Sequence, residues 1–518
     1  MNNDINYCGN FLDTKKTEND KNNKIIENDE NNKIIENIED NESNEYIRKK
    51  KFAVVNPTKM CQPMGAIQAI MGLKNAMPLI HGSQGCATYM RFQLIRHFRE
   101  PIEVASTSLN EKTVIYGGEP NLLKGLKNIS EKQNPDIICV MSSCLTETIG
   151  DDISGIIAKF QDANIGLNLP EMVSVSTPSF AGSHIDGYDS AVLELVRHFA
   201  RVGVDNDKIN LIMGNLSPGD INQVKDLMND LGVESIILTD TSLNLDAPLD
   251  ESTLELHEFG TTIEEIRDTP NSKATIALSK HVDSAGKYLE NNFGVKSFGD
   301  KLPIGIKNTD EFIGKIVDVS DIAIPEKIIR DRGRLCDILV DSHAYNYGKK
   351  VAIFGDPDMV IGIAYMVSEM GMIPEILSIG VESEKFMEDV KVLSKDISYK
   401  PIVLNNSDLY DLEEFLEDHK NEHKVDVLIG NAYGASIADK LNIPLFRIGF
   451  PIFDRVGTQR ISIMCYNGGI KFVDDLTNMM IDHYYDSEGY KLINEDEVYF
   501  NHSDIESCET RDEISYNS

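Results

Sequence analysis

Three cysteines stand where a thiol could do chemistry. Cys61 lies in NPTKMCQPMGA, Cys86 in HGSQGCATY, and Cys144 in VMSSCLTETIGDD at the end of an apolar run. Each sits at a turn or strand end beside Gly, Pro or Ser, where backbone amides can point at an anion. Filler cysteines usually sit inside a strand or helix, as the spacing around Cys139 predicts. Thiolates in amide-rich loops are what an iron–sulfur cluster needs, because its ligands must be deprotonated and amide hydrogen bonds tune the potential. Three thiols leave a standard four-cysteine cluster one ligand short, so a fourth group or another chain is implied. Ser179 in STPSFAGSH is either that extra ligand or a helix cap, and taken alone the cap is the stronger reading.

Other candidates are weaker. His81 precedes the Gly-Ser-Gln-Gly turn and reads as a hydrogen-bonded turn histidine. In RHFRE, Arg96, His97 and Arg99 make a local basic spot, read as a solvated helix face. Glu100, Asp337 and Asp341 are hard oxygen donors. Asp337 and Asp341 are four apart and share a face if helical, where they repel unless a cation or base is near. Separate surface acids are the simpler reading. FGDPD (354–358) resembles the acidic end of a nucleotide-binding turn, but GxGxxG, GxxxxGK[ST] and GxSxG are all missing.

The elements that must carry these residues follow from periodicity. Apolar, β-branched runs at 137–143, 172–180, 209–216, 235–240, 274–279, 350–356, 375–380, 426–432 and 444–450 read as strands. Amphipathic segments separate most of them. In SPGDINQVKDLMNDLGV, Ser217 can cap and Ile221, Val224, Leu227 and Met228 keep helical spacing. Such alternation predicts an α/β protein of parallel sheets flanked by helices. Composition shifts divide the core into α/β units at 52–205, 206–349 and 350–483. The Asn-rich stretch 1–51, in which NNKIIEN occurs twice, and the acidic stretch 484–518 read as solvated tails. Cys8 and Cys508 fall in them.

A net charge of −34 argues against nucleic acid or anionic membrane as partner. No apolar run approaches the ~20 residues of a membrane span. The first residues lack the basic start and apolar core of a signal peptide, so the chain reads as cytoplasmic. Eight scattered cysteines in 518 residues are not a disulfide scaffold.

Taken together, VNPTKMCQPMGA, HGSQGCATY, RHFREP, SSCLTETIGDD, STPSFAGSH, GTTIEEIRD, PIGIKNTDEF, RGRLCDILVDSH, FGDPDMVIG and RIGFPIFDR resemble the nitrogenase component 1 family, in the order of its β-type subunit, over about 52–483. The resemblance implies three Rossmann-like domains. It also implies an 8Fe-7S P-cluster (a 4Fe-4S cluster is the alternative) shared with an α-type subunit. Cys61, Cys86 and Cys144 match the three cysteines supplied by β, and their separations of 25 and 58 residues agree with the family pattern. Ser179 matches the serine that can ligate iron when the cluster is oxidised. Glu100, Asp337 and Asp341 match carboxylates of a divalent-metal site between β subunits.

The resemblance places the substrate-reducing cofactor in the α subunit of an α2β2 heterotetramer and ATP hydrolysis in a separate iron protein, consistent with the missing phosphate loop. This chain would relay electrons between them for nitrogen fixation. LNEKTVIYGGEPNLLKGLKN and PIFDRVGTQR look closer to the scaffold subunit that assembles the iron–molybdenum cofactor. GNLSPGDINQ and LDAPLDES look closer to β subunits of alternative nitrogenases. Retention of all three cysteines and the serine favours the electron-relaying subunit over the scaffold; a nitrogenase-like reductase of another substrate is also compatible.

Overall fold

The computed structural model describes residues 44–45, 54, 57–249 and 258–486. The Asn-rich and acidic end stretches lie almost wholly outside the described residues. Two pieces of them are described: strand β1 (Asn44–Glu45) and the close of the last helix, Cys465–Tyr484.

Parallel strands fall into three sheets. The first holds β2 (Ala76–Ile80), β3 (Ala105–Ser106), β4 (Ile137–Met141) and β5 (Glu171–Val175), in the order β3-β2-β4-β5. The second holds β6 (Ile209–Ile212), β7 (Ser235–Leu238), β8 (Ala274–Ala277) and β9 (Lys296–Gly299), in the order β7-β6-β8-β9. The third is built on β10 (Lys350–Gly355), β11 (Ile373–Ile379), β12 (Ile402–Leu404), β13 (Val427–Gly430) and β14 (Leu445–Arg447). Its order β12-β11-β10-β13-β14 is that of a dinucleotide-fold half extended by two strands, and β1 pairs in parallel with β12 at its edge.

Parallel sheets buried on both faces need nearly continuous apolar strands. That is why IICVM of β4 and VLIG of β13 are buried throughout. The middle sheet ties the core together through the two-residue period of a strand. Leu211 and Ile276 pack into the core shared with the third sheet, whereas Ile212 and Ala277 pack into the core shared with the first.

The nine expected strands are all present, most of them shorter than their runs, with β5 and β11 starting one and two residues early. Strands β1, β2, β3, β9 and β12 did not stand out in the sequence, and β1 falls in the stretch read as a solvated tail. β2 contains Pro78, which has no N–H to give to a ladder, yet the strand is buried and paired on both sides. The helix Pro218–Leu231 forms as its spacing requires, with Ser217 Oγ accepting the Asp220 N–H at 3.1 Å. Among the described residues, no helix is long and apolar enough to cross a membrane.

Candidate functional site

In the first sheet the chain turns one way from β2 to β3 and the other way to β4. Ligands of open parallel sheets collect beyond the carboxyl ends of strands at such a switch point. β2 and β4 lead directly into the segments bearing Cys86 and Cys144.

After β2, His81 and Gly82 turn the chain into Ser83, the N-cap of the helix Gln84–Phe98. Cys86 lies in its first turn, its N–H on Ser83 O at 3.2 Å and its sulfur 3.6 Å from Ser83 Oγ. After β4, Ser143 caps the helix Cys144–Ile149 through a reciprocal pair with Thr146. The two turns are stitched at one atom: Ser143 Oγ and Thr146 Oγ1 both donate to His81 O, at 2.9 and 3.0 Å. A Cβ on Gly82 would stand 2.6 Å from Ser143 Oγ, so the closeness of the turns requires glycine there.

The His81 ring is fully buried between Thr107 Oγ1 at 3.0 Å and Asp151 Oδ2 at 3.1 Å. Burial holds its pKa below the ordinary histidine value, against the pull of Asp151. It is the hydrogen-bonded turn histidine the sequence predicts.

Cys61 reaches the same end from another direction. It is the N-cap of the helix Gln62–Met71, which leads back into β2 and so starts near the carboxyl ends of the strands. Burial pushes the Cys61 thiol up, a hydrogen bond with Ser179 counters this, and Cys86 and Cys144 lie close enough to raise it further by charge. The structure therefore brings Cys61, Cys86, Cys144 and Ser179 into one neighbourhood. Cys61 and Cys86 are half-buried, Cys144 is exposed, and Cys139 is buried within β4 as filler. Burial drives the Cys139 thiol far up, out of reach of ionisation.

The rim of this neighbourhood is apolar and open. The Cys86 helix turns Tyr89, Phe92 and Ile95 to solvent, and Phe180, beside Ser179, is 71% exposed. Exposed apolar side chains of this kind are the sort that a protein partner can cover.

RHFRE is not wholly a solvated basic face: Arg99 stays exposed, but His97 does not. His97 is buried, its Nδ1 accepts the Ile452 N–H at 2.9 Å, and burial lowers its pKa to about 4. Arg96 lies over the Phe453 ring at 3.9 Å and Arg99 donates to Phe453 O at 3.1 Å. These residues pack against a segment more than 350 positions away, which local spacing cannot reveal.

The carboxylates are not assembled within one chain. Burial and Asp246 raise the Glu100 pKa. Asp337 and Asp341 lie exposed on one face of the helix Glu326–Asn346. Among the described residues, no three His, Cys, Asp or Glu side chains are grouped closely enough to hold a metal ion. FGDPD is a junction: Asp356 meets His184 at 3.1 Å and Asp358 meets His281 at 2.8 Å. His184 and Glu147 escaped the sequence reading. Glu147 accepts from Ser142 Oγ and Ser176 Oγ, both at 2.5 Å, and so joins the Cys144 and Ser179 segments. Nothing in the local sequence marks contacts at such range.

Residues 61–481 match the family model described as nitrogenase component 1 type oxidoreductase. The chain is 39% identical to the nitrogenase molybdenum-iron protein beta chain of Methanococcus maripaludis, over 86% of its own length and 98% of the relative's. It is 36% identical to the nitrogenase vanadium-iron protein beta chain of Trichormus variabilis, over 84% and 95%. Its fold superposes on the solved structure titled "Nitrogenase Cp1 at pH 6.5" with a TM-score of 0.81 and 36% identity, covering 84% of this chain and 95% of that one. The chain belongs to the nitrogenase component 1 family of oxidoreductases, as a β-type subunit.

Proposed function

We propose that Cys61, Cys86 and Cys144 hold one half of an iron–sulfur cluster, an 8Fe-7S P-cluster, whose other half is held by an α-type subunit. The observation that carries this is the convergence of the three thiols and Ser179 beneath an open apolar rim. The donor set fits the group. Soft thiolates suit iron–sulfur centres. When bound, the cluster supplies a group that takes up an electron and passes it on.

This chain's residues do the rest. The first-turn amides at Cys61 and Cys86 favour the ionised sulfurs. Burial opposes ionisation of Cys61, and a cationic iron centre would offset it. Ser179 is hydrogen-bonded to Cys61 and would offer an oxygen ligand to an oxidised cluster. Tyr89, Phe92, Ile95 and Phe180 would be covered by the α-type partner, excluding water from the sulfurs. With an α-type partner, this ligand set would lie between an ATP-hydrolysing iron protein and the substrate-reducing cofactor in α. Glu100 of one copy with Asp337 and Asp341 of another would hold a divalent metal between β-type subunits of an α2β2 assembly.

The test is co-purification with the α-type partner, followed by iron counting, EPR and acetylene reduction with the iron protein and ATP. The expected result is interface iron beyond simple four-iron clusters, together with turnover. A complex holding only four-iron clusters and reducing nothing would overturn the proposal.

A further inference from the structure

We propose that His184 is a positioning residue for the Cys61 ligand and that Asp356 sets its ring. The inference rests on the cluster reading above. His184 opens the helix His184–Phe199 and holds Met60, the residue before the ligand, by both its C=O and its N–H. Its backbone N–H donates to Met60 O at 2.9 Å, and its Nδ1 accepts the Met60 N–H at 3.3 Å. On the far side of the ring, Nε2 lies 3.1 Å from Asp356 Oδ2. One tautomer satisfies both ring contacts: Nδ1 bare towards Met60 and Nε2–H donating to Asp356. The ring is 4% exposed, so no solvent competes for either nitrogen.

Two further features make the grip rigid. The helices Gln62–Met71 and His184–Phe199 touch through glycines. A Cβ on Gly65 would fall 1.7 Å from His184 O, and one on Gly187 would fall 1.9 Å from Gln62 O. Asp356 stands at the N-cap position of the helix Pro357–Glu369, yet its side chain caps nothing there. Its carboxylate is committed to His184 instead. Through it the end of β10, in the third sheet, reaches the backbone of a ligand in the first. Outer groups of this kind orient ligands, and their loss costs roughly 10–100-fold in affinity or activity.

The test uses the complex with the α-type partner and two amides that divide the ring's duties. His184→Asn keeps an acceptor near the Nδ1 position, for Met60. His184→Gln keeps a donor near the Nε2 position, for Asp356, and loses the side-chain acceptor for the Met60 N–H. His184→Gln should shift the midpoint potential of the interface iron in EPR-monitored titration and slow acetylene reduction roughly 10-fold with KM unchanged. His184→Asn should restore both towards wild type. Asp356→Ala, at a carboxylate with no capping role, should shift the potential in the same direction by less, and it decides the matter if His184→Gln does not assemble. Unchanged potentials in His184→Gln and Asp356→Ala would overturn the inference, as would Asn behaving no better than Gln. Wild-type complex without interface iron would overturn the cluster reading itself; iron present but indifferent to these variants overturns only the role of His184.

Discussion

The first and second sheets share one strand order, and their chemistry diverges at matching positions. In each, the first strand to be made pairs with the second on one side and the third on the other. After β2 comes Ser83 as N-cap, then Gln84, Gly85 and Cys86; after β6 comes Ser217 as N-cap, then Pro218, Gly219 and Asp220. After β4, the cap Ser143 precedes Cys144; after β8, the cap Ser279 precedes Lys280.

In the second sheet these positions are closed off by the rest of the molecule. Asp220 Oδ1 accepts the Ile463 N–H at 2.8 Å and the Met464 N–H at 3.2 Å. Lys280 meets Asp389 at 2.5 Å, and His281 bridges Asp358 and Ser383. The line Ser383–His281–Asp358 has the order of a hydrolytic triad. Ser383 is buried, however, and accepts the Phe386 N–H as a helix cap, so the line is a strut. Topology supplies a place for a ligand at both switch points. Whether that place becomes a ligand set or a strut depends on the side chain and on what covers it.

Two close-packed glycines, one in each region, give large expected effects. Gly65→Ala drives a Cβ into His184 O and should destabilise by about 3 kcal/mol, the upper part of the overpacking range. Because the displaced helix carries Cys61, interface iron should fall with stability. Gly219→Ala drives a Cβ to 2.6 Å from Ile461 O in the second region and should cost about 2 kcal/mol. Iron should be unaffected. Urea unfolding and iron counting on the same preparations check both, and iron loss in Gly219→Ala would erase the distinction.

The two regions should also respond to pH with opposite sign. His97, on the Cys86 helix, has its pKa lowered to about 4 by burial. Its contribution is complete above the unfolded value of about 6.5 and is lost as pH falls through 4, about 3 kcal/mol in all. Asp220, in the second region, is pushed up to about 6 by burial. Its contribution is complete below the unfolded value of about 3.9 and is lost as pH rises through 6, again about 3 kcal/mol. Stability measured from pH 4 to pH 7 should therefore change slope in opposite directions in His97→Gln and Asp220→Asn. Parallel slopes would contradict the assignment. A smaller effect belongs to the strut: His281→Gln should cost about 1–2 kcal/mol for a lost buried hydrogen bond and leave the iron in place.

The divergence also explains what the sequence disclosed. Cys61, Cys86 and Cys144 were legible as candidates because each sits in a turn of its own, with Gly, Ser or Pro as local signal. The strands were legible where apolar runs are long, as in IICVM, and hidden where proline interrupts one, as in β2. His97 misled because its partner Ile452 lies 355 residues on. His184 and Asp356, 172 apart, were unreadable for the same reason: neither has a local pattern, and only the folded chain makes them neighbours. Glu100, Asp337 and Asp341 do not come together among the described residues, as the simpler reading of separate surface acids has it.

The central claim is that Cys61, Cys86 and Cys144 act as one ligand set. Its most direct test is the iron content and EPR spectrum of the complex with the α-type partner, wild type against Cys86→Ala. The account predicts that the variant loses interface iron and that its subunits separate more readily on size exclusion. Iron content and spectrum unchanged in Cys86→Ala would contradict it.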